Sequence, residues 1–331
     1  MKLVEIQENQ FNGLISSEPN KSFYQTSNWG NFYTRLDYSP YYLGYVDKNG
    51  VYGAYGLFLV KNGSLFSKRE AICPFGFLIN YYDTNLLKEF TNDVKKFLSK
   101  KGASSLIINP NVNYLTARGN NDLLIKNITN LGYEKTNNNF IYVNKIEELE
   151  KVKATEDICL KTYIVTDNTE KLFKANANYK YLFETMSSLA KFIVCELDVK
   201  QTLSNLKDSI AKANAYIEMH AEDFKYFKKI DNKKKDIADK QNYINLINKN
   251  TNENDDSLII AVTCLIEYDN KVTQLFVDNK KDFEVFNTLD VLKFETLRTI
   301  SKLGYESFDS YVKNDNSSKT ELIGEFTYHI K

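Results

Sequence analysis

The sequence is poor in the residues that most often carry metal, redox or imidazole chemistry. Among 331 residues there are two histidines and four cysteines, and the cysteines stand far apart without a CxxC spacing. This argues against a structural zinc site or a disulfide framework and favours cysteines that pack as small apolar residues in a reducing compartment. His220 falls in a helical seam and His329 is the third residue from the end, so a triad built on histidine is disfavoured.

The sequence also lacks net charge and long apolar runs. Its 43 basic side chains balance 43 acidic ones, whereas a protein devoted to coating nucleic acid is usually strongly basic. Its apolar runs are shorter than the roughly 20 residues that a membrane helix needs, and its first residues lack the apolar segment of a signal peptide. The glycines form no GxxxxGK[ST] loop for nucleotide phosphate. We expect a cytoplasmic protein without a metal or a resident cofactor.

The clearest secondary-structure pattern lies between residues 72 and 112. Asp83 or Thr84 can cap a helix whose apolar stripe recurs at three- and four-residue steps and ends at Gly102. Residues 104–108 then form a short apolar run that ends at Asn109-Pro110, because proline has no N–H to continue a strand ladder. Strand, crossover helix and strand predict an α/β core here.

On either side of this core, the pattern completes the first half of the chain. The pairs Asn49-Gly50 and Asn62-Gly63 are typical of two-residue hairpin turns and predict a three-stranded antiparallel meander. We expect a helix over residues 23–35 that is capped by Thr26 or Ser27, a helix over residues 121–131 and a strand over residues 133–143. The resulting order of helices and strands resembles that of a GNAT-type acyltransferase domain.

The second half repeats this plan, with an insertion. After a helical connector over residues 145–153 come a strand, helices, a second strand, the insertion, a hairpin, a helix over residues 282–303 and a strand over residues 322–330. We predict an α+β fold of two GNAT-like acyltransferase domains, residues 1–150 and 151–331. Neither half has the glycine- and basic-rich turn that holds the pyrophosphate of coenzyme A at a helix start, so acetyl-CoA is disfavoured as a donor.

The insertion, residues 200–250, has the pattern of a coiled coil. Apolar residues from Leu206 to Phe227 recur at alternating three- and four-residue steps with charged residues between them. Asp231-Asn232 interrupts this seam, which then continues more weakly. We therefore expect a helical-hairpin arm that is inserted in the second domain and has its lysine-rich turn over residues 225–235.

Several short segments carry a family resemblance through their order and spacing. They are SNWGNFY (27–33), GFLIN (76–80), LIINPNV (106–112), NLGY (130–133), KLGYESFD (302–309) and IGEF (323–326). Together with the helical arm, they are similar to the Fem family of peptidoglycan-branching aminoacyltransferases. The resemblance implies transfer of an amino acid from aminoacyl-tRNA, as co-substrate, to the side-chain amine of the stem peptide in a peptidoglycan precursor.

The resemblance also implies which residues form the site. Asp309 and Asn109 take the catalytic positions, although Asn109 puts a neutral amide where the family has the aspartate of an Asp-Pro pair. A lysine that is frequent on the family's opening helix is matched by Tyr33. The implied substrate-binding residues are Trp29, Tyr33, Arg35, Gly76 and Asn80. In a plainer interpretation, Asn109 only caps the turn before Pro110 and Asp309 only bonds strand backbone.

The implied partners are a peptidoglycan precursor, an aminoacyl-tRNA, and another Fem protein or a second copy of the chain. Contact with a membrane is expected only through a lipid-linked precursor. The candidates for contact with tRNA phosphate are four lysines of the lysine-rich turn at the predicted arm tip, Lys228, Lys229, Lys233 and Lys234. A charged tip that merely keeps the arm soluble explains these lysines equally well.

Two family segments are missing, which leaves the activity open. A basic helical segment between the domains and a Phe-Lys loop before the final strand have no counterpart in the chain. Losing one preorganised cation or donor typically costs about 3–4 kcal/mol in the reaction barrier. Three hypotheses remain: an active Fem-type enzyme with a reduced site, a Fem-like protein that only binds a precursor, a tRNA or an active Fem partner, and an acyltransferase for another amine.

Overall fold

The computed structural model describes residues 1–19, 21–63, 69–116, 119–146, 154–166, 170–310 and 317–330. The helices are α1 (Glu8–Ser16), α2 (Ser27–Thr34), α3 (Thr84–Lys100), α4 (Asp122–Thr129), α5 (Glu170–Ala175), α6 (Ala177–Met186), α7 (Val199–His220), α8 (Phe227–Asn250) and α9 (Thr288–Lys302). Short 3₁₀ helices cover Phe23–Gln25, Phe224–Tyr226 and Lys281–Phe286.

The strands are β1 (Lys2–Glu5), β2 (Tyr38–Val46), β3 (Tyr52–Lys61), β4 (Arg69–Cys73), β5 (Leu78–Ile79), β6 (Ala103–Ile108), β7 (Leu115–Thr116), β8 (Gly119–Asn120), β9 (Glu134–Asn137), β10 (Phe140–Lys145), β11 (Leu160–Ile164), β12 (Ala190–Asp198), β13 (Ser257–Tyr268), β14 (Lys271–Asn279), β15 (Ser307–Ser310), β16 (Ser317–Glu321) and β17 (Glu325–His329). Among the described residues, no helix is both long and apolar enough to cross a membrane.

The first sheet has eight strands, in the order β1-β2-β3-β4-β6-β17-β9 with β5 paired to β3. β4 and β6 are parallel because α3 carries the chain back across the sheet between them. Asp83 caps α3 by accepting a hydrogen bond from the N–H of Leu86, and the apolar face of α3 is buried in the core over the sheet. The predicted strand, helix and strand core is confirmed.

The second sheet has seven strands, in the order β11-β12-β13-β14-β15-β10-β16. It repeats the arrangement of the first, since β14 and β15 are parallel and α9 connects them. Their register pairs Thr273 with Asp309 and Gln274 with Ser310. The predicted connector lies mostly outside the described residues, because residues 147–153 are not among them.

The two sheets exchange a strand. β10 lies in the second sheet between β15 and β16, whereas β17, late in the chain, lies in the first sheet between β6 and β9. The prediction of one strand over residues 133–143 is therefore wrong. Asn138 and Asn139 separate two strands, β9 and β10, that belong to different sheets.

α7 and α8 form the predicted helical arm, which leaves the second sheet after β12 and returns to β13. Its turn lies at residues 221–226, where Asp223 accepts a hydrogen bond from the N–H of Lys225 and begins a 3₁₀ turn. Asp231 and Asn232 lie inside α8, so the predicted interruption at this pair is wrong and the turn lies earlier than the predicted residues 225–235. Both residues are exposed, and an exposed helix position tolerates their modest helix propensity.

Buried polar contacts hold the base of the arm. Asp157, before β11, accepts a hydrogen bond from Oγ of Ser209 on α7 at 2.9 Å. It also forms an ion pair with Nζ of Lys240 on α8 at 2.9 Å, and the side chains of Lys240 and Asp157 are 12% and 15% exposed. Burial alone would raise the pKa of Asp157, but the hydrogen bonds from Lys240 and Ser209 hold this pKa below its usual value.

Candidate functional site

A cavity of about 70 Å³ lies where the two halves of the chain meet. Its lining combines first-half residues Lys21, Ser22, Phe23, Tyr24, Phe75 and Asn111 with Ile141, Tyr268, Asp269, Lys271, Thr273 and Asp309. Ligand sites occur preferentially at such junctions between domains. The volume exceeds that of one or two water molecules, about 30 Å³ each, and suits two reacting groups rather than a whole substrate.

Two carboxylates line this cavity in different surroundings. Asp269, in the turn after β13, forms an ion pair with Lys21 at 2.9 Å. Asp309 lies on β15, opposite Thr273 of β14. Burial raises the pKa of Asp309, and the positive charge of Lys271 opposes this shift. A carboxylate whose pKa is raised accepts a proton more readily near neutral pH, so Asp309 is suited to general-base chemistry.

The loop after β4 forms the opposite wall in a left-handed conformation. Phe75 has φ of 51°, which is unfavourable for an aromatic residue and persists only where the surroundings hold it. Its ring stacks on Tyr24 with centroids 4.6 Å apart and planes at 9°. Its N–H donates a hydrogen bond of 2.9 Å to Oδ1 of Asn109. These contacts present an apolar wall to the cavity.

Gln25 supports this loop from within the core and was missed in the sequence. Its fully buried side chain donates a hydrogen bond to the carbonyl of Pro74 and accepts one from the N–H of Leu57 at 2.8 Å. Gly76 packs on the same side chain, since a Cβ at Gly76 would lie 3.0 Å from Nε2 of Gln25 and 2.6 Å from Sγ of Cys73. The only sequence signal was a polar residue among the aromatic residues of FYQTS.

Trp29 and Tyr33 lie behind the aromatic wall rather than in it. Both belong to α2, and their ring centroids are 5.3 Å apart. Trp29 also packs edge to face on Tyr24, at 4.8 Å, and Thr26 caps the helix by accepting a hydrogen bond from the N–H of Trp29. The predicted cap is confirmed, and these rings support Tyr24 where it meets the cavity.

Arg35, Asn80 and Asn109 are not among the residues that line the cavity. The exposed guanidinium of Arg35 lies 5.8 Å from the ring centre of Tyr181 on α6. Asn80 accepts a hydrogen bond from the backbone N–H two residues further on. The amide oxygen of Asn109 holds the Phe75 loop, and it is Asn111, two residues later, that lines the cavity.

The four predicted tRNA-binding lysines lie apart from this site. Lys228, Lys229, Lys233 and Lys234 are exposed in the first turns of α8, at the far end of the arm. At about 1.5 Å per residue, the 22 residues of α7 place this end about 33 Å from β12. The structure therefore brings Asp309, Gly76, Trp29 and Tyr33 into one region and leaves the lysines at a separate surface.

A larger cavity, of about 530 Å³, lies between β14 and α9. Gln274 and Phe308 line it, whereas their neighbours Thr273 and Asp309 line the smaller cavity. Successive residues of a strand point to opposite faces, so the two cavities lie on opposite faces of the β14–β15 pair. The size of the larger one falls in the range of ordinary ligand pockets.

Comparison with known proteins gives a family and a fold. The sequence profile of the FemAB family matches residues 6–148 and 134–320. No curated protein sequence matches the chain. The crystal structure of FemX has a TM-score of 0.60 at 15% identity and covers 99% of this chain and 97% of its own.

Two acetyltransferase-type structures are also similar. A tandem GNAT protein from the clavulanic acid biosynthesis pathway has a TM-score of 0.64 at 7% identity, covering 100% of this chain and 98% of its own. A GCN5-related N-acetyltransferase from Sphaerobacter thermophilus has a TM-score of 0.50 at 8% identity, covering 100% and 96%. At these identities the likeness concerns the fold, and the predicted pair of GNAT-like domains is confirmed.

Proposed function

Because the chain belongs to the FemAB family, we propose that it transfers an amino acid from aminoacyl-tRNA to the stem-peptide amine of a peptidoglycan precursor. The observation that carries this proposal is Asp309, a half-buried carboxylate with a raised pKa that faces a cavity at the junction of the two halves. Lys271 lines the same cavity and supplies a positive charge.

In this reaction the amine nitrogen attacks the ester carbonyl carbon, so that an amide C–N bond forms and the ester C–O bond breaks. Asp309 accepts the proton that the amine loses and returns it to the ribose oxygen that leaves. Proton transfer of this kind contributes about 100- to 10,000-fold to rate. Lys271 stabilises the negative charge that develops on the carbonyl oxygen. The stacked rings of Tyr24 and Phe75 exclude water beside the reacting groups.

A transfer assay tests the proposal. The purified chain is incubated with a mixture of charged tRNAs and a lysine-containing muramyl-pentapeptide precursor. The mass of the precursor is then measured by mass spectrometry. We expect a gain of one amino-acid residue that requires charged tRNA and is absent with deacylated tRNA. If no charged tRNA produces a gain while an active Fem enzyme does so in parallel, the proposal is wrong for that acceptor.

Binding without transfer is a second candidate function. It is favoured by Asn109, whose neutral amide cannot act as a base and whose oxygen already accepts the N–H of Phe75. On this account the precursor binds at the cavity and gains no mass. Calorimetric titration with the precursor, run beside the transfer assay, separates the two functions, since binding without mass gain supports the second and mass gain excludes it.

A further inference from the structure

The tip of the α7–α8 arm exposes three large apolar side chains. Met219, Phe224 and Phe227, hereafter the apolar tip, are 78%, 82% and 44% exposed. The two phenylalanine rings contact each other, with centroids 4.6 Å apart. Single exposed apolar residues are common on protein surfaces, but a group at the end of a projecting element indicates a contact surface.

Basic residues accompany the apolar tip on the α8 side. Residues 224–235 contain six lysines and one aspartate, whereas Glu218, Glu222 and Asp223 lie beside Met219 on the α7 side of the tip. Lys234 follows Phe227 by two helical turns, and both line a shallow cavity of about 290 Å³ together with Ile217, Ala221, Ile230 and Asp231. Positive charge and exposed apolar surface therefore occur on the same face of the arm.

We propose that the arm tip docks on an anionic lipid bilayer. Phenylalanine at the boundary of headgroups and acyl chains, with lysine beside it at the headgroup phosphates, is the combination by which peripheral segments bind such a surface. The phenylalanine rings bind the bilayer through the hydrophobic effect, which salt does not screen. The lysines bind it through electrostatic attraction, which salt weakens. A nucleic acid would account for the lysines, and its bases can stack on Phe224 or Phe227, but it would leave the aliphatic side chain of Met219, 78% exposed, without an apolar partner.

This docking surface is separate from the cavity with Asp309. The length of α7 places the tip about 33 Å from the second sheet. The proposal therefore goes beyond the proposed function and does not depend on it. It also differs from the expectation that membrane contact occurs only through a lipid-linked precursor, because here the chain itself contacts the lipid.

Co-sedimentation of the full chain with vesicles tests the proposal. Vesicles of phosphatidylglycerol and phosphatidylcholine in equal parts are compared with vesicles of phosphatidylcholine alone. We expect binding to the anionic vesicles, weakened by 0.5 M NaCl, and at least about tenfold weaker binding for the double variant Phe224→Ser/Phe227→Ser. The double variant Val51→Ser/Leu115→Ser removes two residues that are 60% and 68% exposed elsewhere and should bind like the unchanged chain.

The variant Lys228→Gln/Lys229→Gln tests how much the lysine charges contribute to vesicle binding. It should also weaken binding to anionic vesicles. The proposal is overturned if the unchanged chain does not bind these vesicles or if the two phenylalanines can be replaced without loss. It is also overturned if the same substitutions instead abolish retention of tRNA on a filter while vesicles remain unbound.

Fluorescence gives an independent measure of insertion. Trp29 is the one tryptophan of the sequence and is buried, 6% exposed, so a Phe224→Trp variant adds a single exposed reporter. Its emission should shift to shorter wavelength with anionic vesicles, because the indole moves into a less polar environment. An unchanged emission spectrum at saturating lipid would contradict the proposed insertion.

Discussion

Asp309 lies on β15 between Phe308 and Ser310, which are 5% and 1% exposed. Because burial raises its pKa, the ionised form is less favourable in the folded chain than in the unfolded one. The same environment that makes Asp309 a better proton acceptor therefore lowers the stability of the fold at neutral pH.

Replacing Asp309 by asparagine should raise Tm at pH 7 by about 1–2 °C, a small gain because solvent screens a half-buried charge. The pKa of Asp309 is higher in the folded chain than in the unfolded chain, where it is about 3.9. Protonation of Asp309 therefore stabilises the fold fully below this unfolded pKa, and the stabilisation is lost as pH rises through the folded pKa. The gain in Tm should therefore disappear near pH 4. Thermal unfolding at both pH values measures it, and a lower Tm for the variant at pH 7 would contradict the account.

Gln25→Ala should destabilise the fold by about 2–3 kcal/mol, because the carbonyl of Pro74 and the N–H of Leu57 then lose their partner in the core. Urea unfolding gives this free energy. The matched control is Gln10→Ala, since Gln10 is exposed and its replacement should cost less than about 0.5 kcal/mol. Equal costs for the two variants would show that Gln25 does not hold the loop.

At the scale of single residues, the sequence predicts contacts between residues that are close along the chain and does not predict contacts between residues that are far apart along it. The caps Thr26 and Asp83 were predictable because each bonds an N–H three residues away. The role of Gln25 was not, since its partners lie 32 and 49 residues further along the chain. The contact of Asn109 with Phe75 is of the same kind, spanning 34 residues.

Among the elements, those with strong local periodicity form as predicted. The hairpin predicted after the insertion is β13 and β14, and the helix after Asp83 is α3. The helix predicted over residues 282–303 is divided by Asn287, whose left-handed φ of 61° ends a 3₁₀ turn before α9 begins. Asparagine tolerates this conformation better than most residues, but periodicity alone does not reveal where it is used.

The ion pair at the base of the arm should make a large contribution to stability. Asp157→Asn leaves Lys240 paired only with Asp236, whose side chain is 40% exposed, and should cost about 2 kcal/mol in urea unfolding. The folded pKa of Asp157 is lowered, so its contribution is present above the unfolded pKa of about 3.9 and is lost as pH falls through the folded pKa.

The control for this pair is Lys200 with Asp256, which are 2.6 Å apart but 73% and 68% exposed. Asp256→Asn should cost less than about 1 kcal/mol, because water screens an exposed pair. If both substitutions cost the same, burial does not strengthen the Asp157 pair, and the arm is held at its base by apolar packing alone.

For the whole molecule, the exchange of β10 and β17 joins the two halves. Phe326 of β17 is fully buried in the first core and lies opposite Ile108 of β6. Residues 1–150 alone would lack this strand and should show no cooperative thermal transition, whereas co-expression with residues 151–331 should restore one. Differential scanning calorimetry measures both, and a cooperative transition of residues 1–150 alone would contradict the account.

The candidate site lies where the two halves meet, and how they meet depends on this strand exchange. The sequence therefore predicts only part of the site. The Fem-like motif points to Asp309, but Lys21, Asp269 and Lys271 belong to a loop, a turn and a strand end without periodic patterns. Periodicity identifies a strand and its buried face, whereas it does not specify which sheet the strand joins. The residues that meet at the cavity are therefore visible only once the strand order is known.

Single-turnover transfer from charged tRNA, followed for the unchanged chain and for Asp309→Asn, tests the central claim most directly. The account predicts a rate about 100- to 1000-fold lower for the variant, because the amide cannot accept the proton of the attacking amine. Asp282→Asn, at an exposed position outside both cavities, should transfer at the unchanged rate. Transfer by Asp309→Asn at the rate of the unchanged chain would contradict the assignment of Asp309 as the base.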